Sequence, residues 1–277
     1  MPERIPVGLI VNPIAGMGGS VGLKGTDGAE TLQEAVSRGA EPLAARRTKR
    51  TLEVLLPAAN SIRLLVAPRA MGQDLLEGLG LEFEAIGKIS GATSSSADTV
   101  AAAKALVKAG ARFILFSGGD GTARDLLGAI GDHVPLIGIP CGVKMYSGVF
   151  ATSPEAAGHL ARDFVDLINT KAGSSEADTI LAEVMDIDEA DYRKGRLSAE
   201  LFGYARCPRI ANRLQGPKVH SLPTHGEAVM SAATEIVELM QPGQVYLVGP
   251  GKSAKAVLDT IGLEGTLLGI DAVQDRS

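Results

Sequence analysis

The chain has 277 residues, 45% of them hydrophobic and 21% charged, with a formal net charge of −5. Apolar sequence on that scale is enough for the cores of two globular domains. The acidic balance, 4% aromatics and the absence of Trp exclude the basic, base-stacking surfaces that nucleic acids need. Cys141 and Cys207 cannot build a disulfide framework, and His133, His159, His220 and His225 lack the spacing of a zinc site. The N-terminus shows no signal-peptide pattern, and no apolar run is long enough to span a bilayer. The expectation is a cytoplasmic protein with no membrane partner.

In chain order, residues 7–11 predict a buried parallel strand that ends at Asn12-Pro13. A loop over 14–28 follows, with Gly16, Gly18, Gly19, Lys24, Thr26 and Asp27. Glycines after a first strand mark the usual phosphate site of a doubly wound fold. The spacing matches neither Gly-x-Gly-x-x-Gly nor the Walker A loop, and so many glycines can also be merely flexible. Residues 29–39 predict an amphipathic helix, 51–56 a short one stopped by Pro57, and 62–66 a strand. The basic run Arg46, Arg47, Lys49 and Arg50 is expected to be the solvated start of a helix. A helix carrying Leu75, Leu76 and Leu79 follows Gly72, and 83–86 form a weak strand. Ser95 with Asp98 predicts a helix start, its buried face made by Val100, Ala103, Leu106 and Val107.

The apolar run 113–116 leads straight into Ser117-Gly118-Gly119-Asp120-Gly121-Thr122, and a helical pattern begins at Ala123. Gly118, Gly119 and Gly121 let backbone approach a ligand, and the amides of the following helix N-terminus favour a phosphate. A carboxylate at Asp120 would repel that phosphate unless it holds a metal or takes a proton from an attacking hydroxyl. That combination points to phosphoryl transfer; the plainer alternative is an Asp that caps its helix. Residues 135–139 predict the next strand, which leaves into a loop over 140–147 holding Gly142 and Lys144. Lys144 is either a phosphate counter-ion or simply solvated, and Cys141 is expected to be small packing. The loops 12–28, 117–122 and 140–147 leave the carboxyl ends of parallel strands, so they are expected to converge on one nucleotide.

Residues 155–168 predict a long amphipathic helix, and 169–175 the best linker. They divide the chain into a nucleotide-binding domain, 1–172, and a second domain, 173–277. There, 180–189 alternate acids with apolars, 197–204 predict an antiparallel strand and 227–240 a helix. Residues 244–248 form a strand entering Gly249-Pro250-Gly251-Lys252-Ser253, a partial Walker A spacing weighed as a secondary anion site, and 266–273 a last strand. The expected class is α/β: an open, mostly parallel Rossmann-like sheet followed by a second, mixed α/β domain.

Gly118-Gly119-Asp120-Gly121-Thr122 resembles the signature of the NAD kinase, diacylglycerol kinase and 6-phosphofructokinase superfamily. Taken with residues 11–19, 22–27, Ile139-Pro140, Gly142-Val143-Lys144, 183–189 and 249–251, the whole chain resembles the ATP-NAD kinase family, in the branch that includes acetoin-catabolism protein X. The resemblance implies ATP as donor, Mg²⁺ as cofactor and NAD as the acceptor. It implies that Asp120 acts on the receiving hydroxyl and holds the metal, and that Asn12, Gly16, Gly18, Gly19, Lys24, Thr26, Asp27, Gly118, Gly119, Gly121, Thr122, Gly142 and Lys144 line the nucleotide site. Small nucleotides are the expected partners, in a homo-oligomer. Two departures stand beside it. The Asn-Glu motif and Thr-Gly-Ser-Thr-type turn of NAD kinases proper do not occur, and the early end after the last strand suggests a shortened chain with an incomplete acceptor site. A nucleotide sensor without turnover, or a kinase for a lipid, sugar or polyol, therefore stays open.

Overall fold

Five parallel strands make the central sheet: β1 (Ile5–Val11), β2 (Ile62–Val66), β3 (Glu84–Ala85), β4 (Phe113–Gly118) and β5 (Leu136–Pro140), in the order β3-β2-β1-β4-β5. The computed structural model describes residues 4–21, 23, 29–89, 94–141, 145–170, 178–187, 199–209, 223–267 and 269–275. Helices α1 (Met17–Ser20), α2 (Ala29–Ser37), α3 (Leu43–Leu55), α4 (Gln73–Leu79), α5 (Ser96–Lys108), α6 (Asp120–Ile130) and α7 (Pro154–Thr170) alternate with the strands. In register, Leu9 lies beside Val66 on one side, and Val11 beside Ser117 on the other. From β1 the chain winds outward through β2 and β3, then returns to β4 and leaves through β5 in the opposite direction. The order reverses between β1 and β4, where doubly wound sheets open a crevice.

β1, β4 and β5 are apolar without alternation because both faces are covered. Val7, Leu9, Val11, Phe113, Leu115, Ile137 and Ile139 share one core with Leu52 and Leu55 of α3 and Leu160 and Phe164 of α7. Ile10, Ile114, Phe116 and Leu136 share the other with Leu106 of α5 and Leu126 of α6. The capping box that starts α5 is complete: Ser95 and Asp98 exchange side-chain and backbone hydrogen bonds.

Three helix starts differ from expectation, one of them that of the helix expected over 227–240, which begins at Pro223. α3 begins at Leu43, eight residues before the predicted start, so the basic run lies inside it. Its buried face includes Ala44, Thr48 and Thr51, and the two threonines break the apolar period. Their hydroxyls are satisfied locally: Thr48 donates to the Ala44 carbonyl and Thr51 to that of Pro154, both at 2.8 Å. α6 begins at Asp120 instead of Ala123, leaving Gly119 alone between strand and helix.

After α7, β6 (Thr179–Ile187) and β7 (Ala199–Pro208) form an antiparallel hairpin with a bulge between Val184 and Met185. Ala182, Val184, Ala205 and Cys207 from its inner face join the α6 core. Helix α8 (Pro223–Leu239) packs on α9 (Lys252–Thr260) through Ala233, Val237, Ala256 and Val257, and β8 (Val245–Val248) pairs antiparallel with β9 (Asp271–Gln274). The fold class is α/β, with a parallel sheet first and mixed structure after it. Of the expected linker, Asn169 and Thr170 end α7 and residues 171–175 lie outside the described residues. The last strand is shorter than predicted because Thr266 turns back: its N–H donates to Asp271 Oδ2 at 2.9 Å, and its hydroxyl accepts from Gly269 N–H at 3.0 Å.

Candidate functional site

The carboxyl ends of β1, β4 and β5 meet through four local contacts. Asn12, just past β1, donates its N–H to the Ser117 carbonyl at 2.9 Å. Its side-chain amide donates to Thr122 Oγ1 at 3.1 Å, and its Oδ1 accepts from Ile14 N–H at 3.3 Å. One short side chain thus ties the first loop to the first turn of α6. Gly118 makes room for this, since a Cβ there would lie 2.5 Å from Thr122 Cβ and Oγ1. The β1 loop also reaches β5, with Gly16 against the Cys141 carbonyl.

Asp120 opens α6, and its carboxylate reaches the loop after β5. Oδ2 accepts from the Tyr146 N–H at 2.9 Å, and Oδ1 from the Ser147 N–H at 2.9 Å and the Ser147 hydroxyl at 2.6 Å. Charge-assisted bonds from backbone amides fix the carboxylate plane more firmly than neutral ones would. Around it, among the described residues, a Cβ at Gly119 or at Gly121 would meet nothing within 4 Å. The amides of this helix N-terminus favour an anion there.

Beneath this surface Cys141 is buried, 2.9 Å from the Ser117 hydroxyl. Burial pushes its thiol up, with the Ser117 hydrogen bond and the Arg47 charge partly opposing. Arg47 donates to the Pro140 carbonyl at 2.6 Å, so one member of the basic run is not the solvated residue expected of it. Arg50 behaves nearer to expectation, pairing at the surface with Glu155 at 2.5 Å.

The structure therefore brings together Asn12, Gly16, Gly118, Gly119, Asp120, Gly121 and Thr122, with Gly18 and Gly19 nearby in α1. Lys24, Thr26, Asp27, Gly142 and Lys144 lie outside the described residues. Tyr146, Ser147 and Arg47 escaped sequence reasoning. The available signal for Ser147 was a small hydroxyl side chain one residue before the apolar stretch that Val149 begins. The Gly249–Ser253 stretch opens α9, where Gly251 (φ +131°) donates its N–H to the Leu267 carbonyl at 3.0 Å. A cavity of about 280 Å³ lined by Leu52, Leu55, Ile62 and Phe83 sits toward the opposite ends of the strands, so it is no part of this arrangement. Among the described residues no cluster of three or more His, Cys, Asp or Glu could hold a metal by itself, and no helix is long and apolar enough to cross a membrane. Magnesium is commonly held by one or two carboxylates plus substrate phosphates, and Asp120 fits the protein's share of that donor set.

A reversed strand order, with a glycine turn and a carboxylate at the reversal, marks the ligand crevice of a doubly wound α/β protein. Residues 7–167, more than half of the chain, match the ATP-NAD kinase N-terminal domain. The chain belongs to the ATP-NAD kinase family, whose chemistry is ATP-dependent phosphoryl transfer, and is a kinase in that general sense. The family typically uses ATP with a divalent metal. No curated protein matches the chain.

Proposed function

We propose that the protein transfers the γ-phosphoryl group of ATP to a hydroxyl of NAD, giving NADP and ADP. The observation that carries this reading is the Asp120 carboxylate, held at the strand-order reversal between Gly119 and Gly121, at each of which a Cβ would meet no described atom within 4 Å. The acceptor oxygen bonds to phosphorus as the bridging oxygen leaves with ADP, and the hydroxyl proton passes to Asp120. The amides at the start of α6 and the Asn12–Thr122 pair seat the phosphates, and Lys24 and Lys144 offset their charge. A magnesium ion bound through Asp120 and the phosphates would neutralise charge that develops on the transferred group. The division into domains at 1–172 and 173–277 belongs to this proposal, with the β6–β7 hairpin as the part of the second that leans on the first.

The test is incubation of the purified chain with ATP and Mg²⁺ and a panel of NAD, NADH, sugars and polyols, read by mass spectrometry for a gain of one phosphate. NADP is the expected product, and Asp120→Asn should lower the rate by about 10²–10⁴. A phosphorylated sugar or polyol keeps the kinase and discards NAD. One observation favours a second reading, a sensor without turnover: both Asp120 oxygens already accept from Tyr146 and Ser147. Tight ATP binding with no phosphorylated product would select it.

A further inference from the structure

Ser147 is 1% exposed, and its hydroxyl stands between two parts of the protein. It has one proton to give, and the 2.6 Å bond to Asp120 Oδ1 takes it. Its oxygen accepts from the Met185 N–H of β6 at 3.0 Å, while the Met185 carbonyl, at 3.5 Å, lies at the limit of a hydrogen bond. One residue on, the Gly148 N–H donates to the Glu183 carbonyl at 2.7 Å. The segment that grips Asp120 is therefore stitched along β6.

The bulge is an independent sign that this junction is specified. Where the β6–β7 register shifts between Val184 and Met185, Phe202 is the extra residue on β7, and on the other edge of β6 the Met185 N–H is taken up by Ser147. Bulges re-aim backbone or side chains and concentrate beside active sites. On the far side of the hairpin Val184, Ala205 and Cys207 are wholly buried against the α6 core. The hairpin therefore cannot shift relative to α6 without disturbing Ser147.

We propose that Ser147 is a positioning residue for phosphoryl transfer: its hydroxyl joins Asp120 to the β6–β7 hairpin, so that the seating of the hairpin sets where the carboxylate stands. This rests on the kinase reading above. Asp120 is the group that meets the acceptor; Ser147 acts through it. Misplacing a reacting group by about 1 Å can cost about 100-fold in rate, which sets the scale expected from losing the hydroxyl.

Two measurements on the full chain test it. In steady-state kinetics, Ser147→Ala should lower kcat by about 10–100-fold and leave KM for ATP within about twofold, while Ser147→Thr, which keeps the hydroxyl, recovers most of the rate. In an Asp120→Asn background, Ser147→Ala should cost nothing more, because the base it positions is already gone. In hydrogen exchange, Asp120→Ala, which removes the acceptor, and Ser147→Ala should each speed exchange across residues 179–187, the pair no more than either alone. An unchanged kcat in Ser147→Ala, a full further loss in the Asp120→Asn background, or exchange in β6 unmoved by Asp120→Ala overturns the proposal. No product from the wild-type chain with any acceptor overturns the kinase reading instead. Exchange then judges the junction by itself, coupled rates upholding it and independent rates overturning it.

Discussion

Gly16 and Cys141 are in backbone contact: a Cβ built on Gly16 would lie 2.0 Å from the Cys141 carbonyl oxygen, and Gly16 itself sits at φ +80°. This glycine answers two demands at once, a left-handed backbone and a carbonyl with no space before it. Gly16→Ala must move either the β1 loop or the end of β5. We expect a loss of about 2–4 kcal/mol, from the left-handed strain plus overpacking. Thermal unfolding would measure it, and a loss below about 1 kcal/mol would mean that the two loops are not held together as described.

Gly118 and Gly121 should separate packing from ligand contact. A Cβ at Gly118 meets Thr122 at 2.5 Å, whereas one at Gly121 meets nothing described within 4 Å. Gly118→Ala should therefore cost about 1–3 kcal/mol. Gly121→Ala, in the first turn of α6, should leave stability unchanged or raise it by about 0.5 kcal/mol, yet weaken ATP binding by about tenfold, or about 1.4 kcal/mol. Calorimetry on the two variants decides it. Wild-type ATP affinity in Gly121→Ala would remove the nucleotide from the start of α6.

What was legible in the chain was local. The strand 62–66 and the Ser95–Asp98 cap carry their signals within a few residues, and the structure reproduces them. Asn12 and Thr122 could be singled out because each belongs to a strand-end motif, though nothing in the sequence says that they bond to each other. The Asp120–Ser147 and Arg47–Pro140 contacts close over 27 and 93 residues. Periodicity cannot see such pairs, since they depend on which strand lies beside which. α3 is longer than the sequence suggests for a related reason: Thr48, before the predicted start, looks polar in sequence and is buried in the fold.

Cys207 gives the alkaline limb of stability. Burial in β7 pushes its thiol from the ordinary 9.0 up to about 12. The folded chain thus keeps a proton that the unfolded chain loses above about pH 9. Its contribution is fully present below pH 9 and is lost as pH rises toward 12, at up to about 1.4 kcal/mol per pH unit. Denaturant titrations between pH 8 and about 11 should show a shallower decline in Cys207→Ala than in wild type, whatever the cavity costs at neutral pH. Identical slopes would mean that the thiol is not held protonated.

Arg47 should prove structural where its neighbour Arg46 does not. Pro140 ends β5 fully buried, and its carbonyl receives the Arg47 guanidinium at 2.6 Å. Arg47→Met keeps most of the packing stem and removes the donor, leaving a buried carbonyl short of a partner at a cost of about 1–3 kcal/mol. Arg46 is exposed on the same helix, so Arg46→Met should stay within about 0.5 kcal/mol. Arg47→Met also removes the positive charge that opposes burial at Cys141, so that thiol should be pushed further up. Denaturant unfolding of both variants, with thiol titration of Cys141 in a Cys207→Ala background, tests both effects. If Arg47→Met is as silent as Arg46→Met, Arg47 returns to the solvated run from which the sequence could not distinguish it.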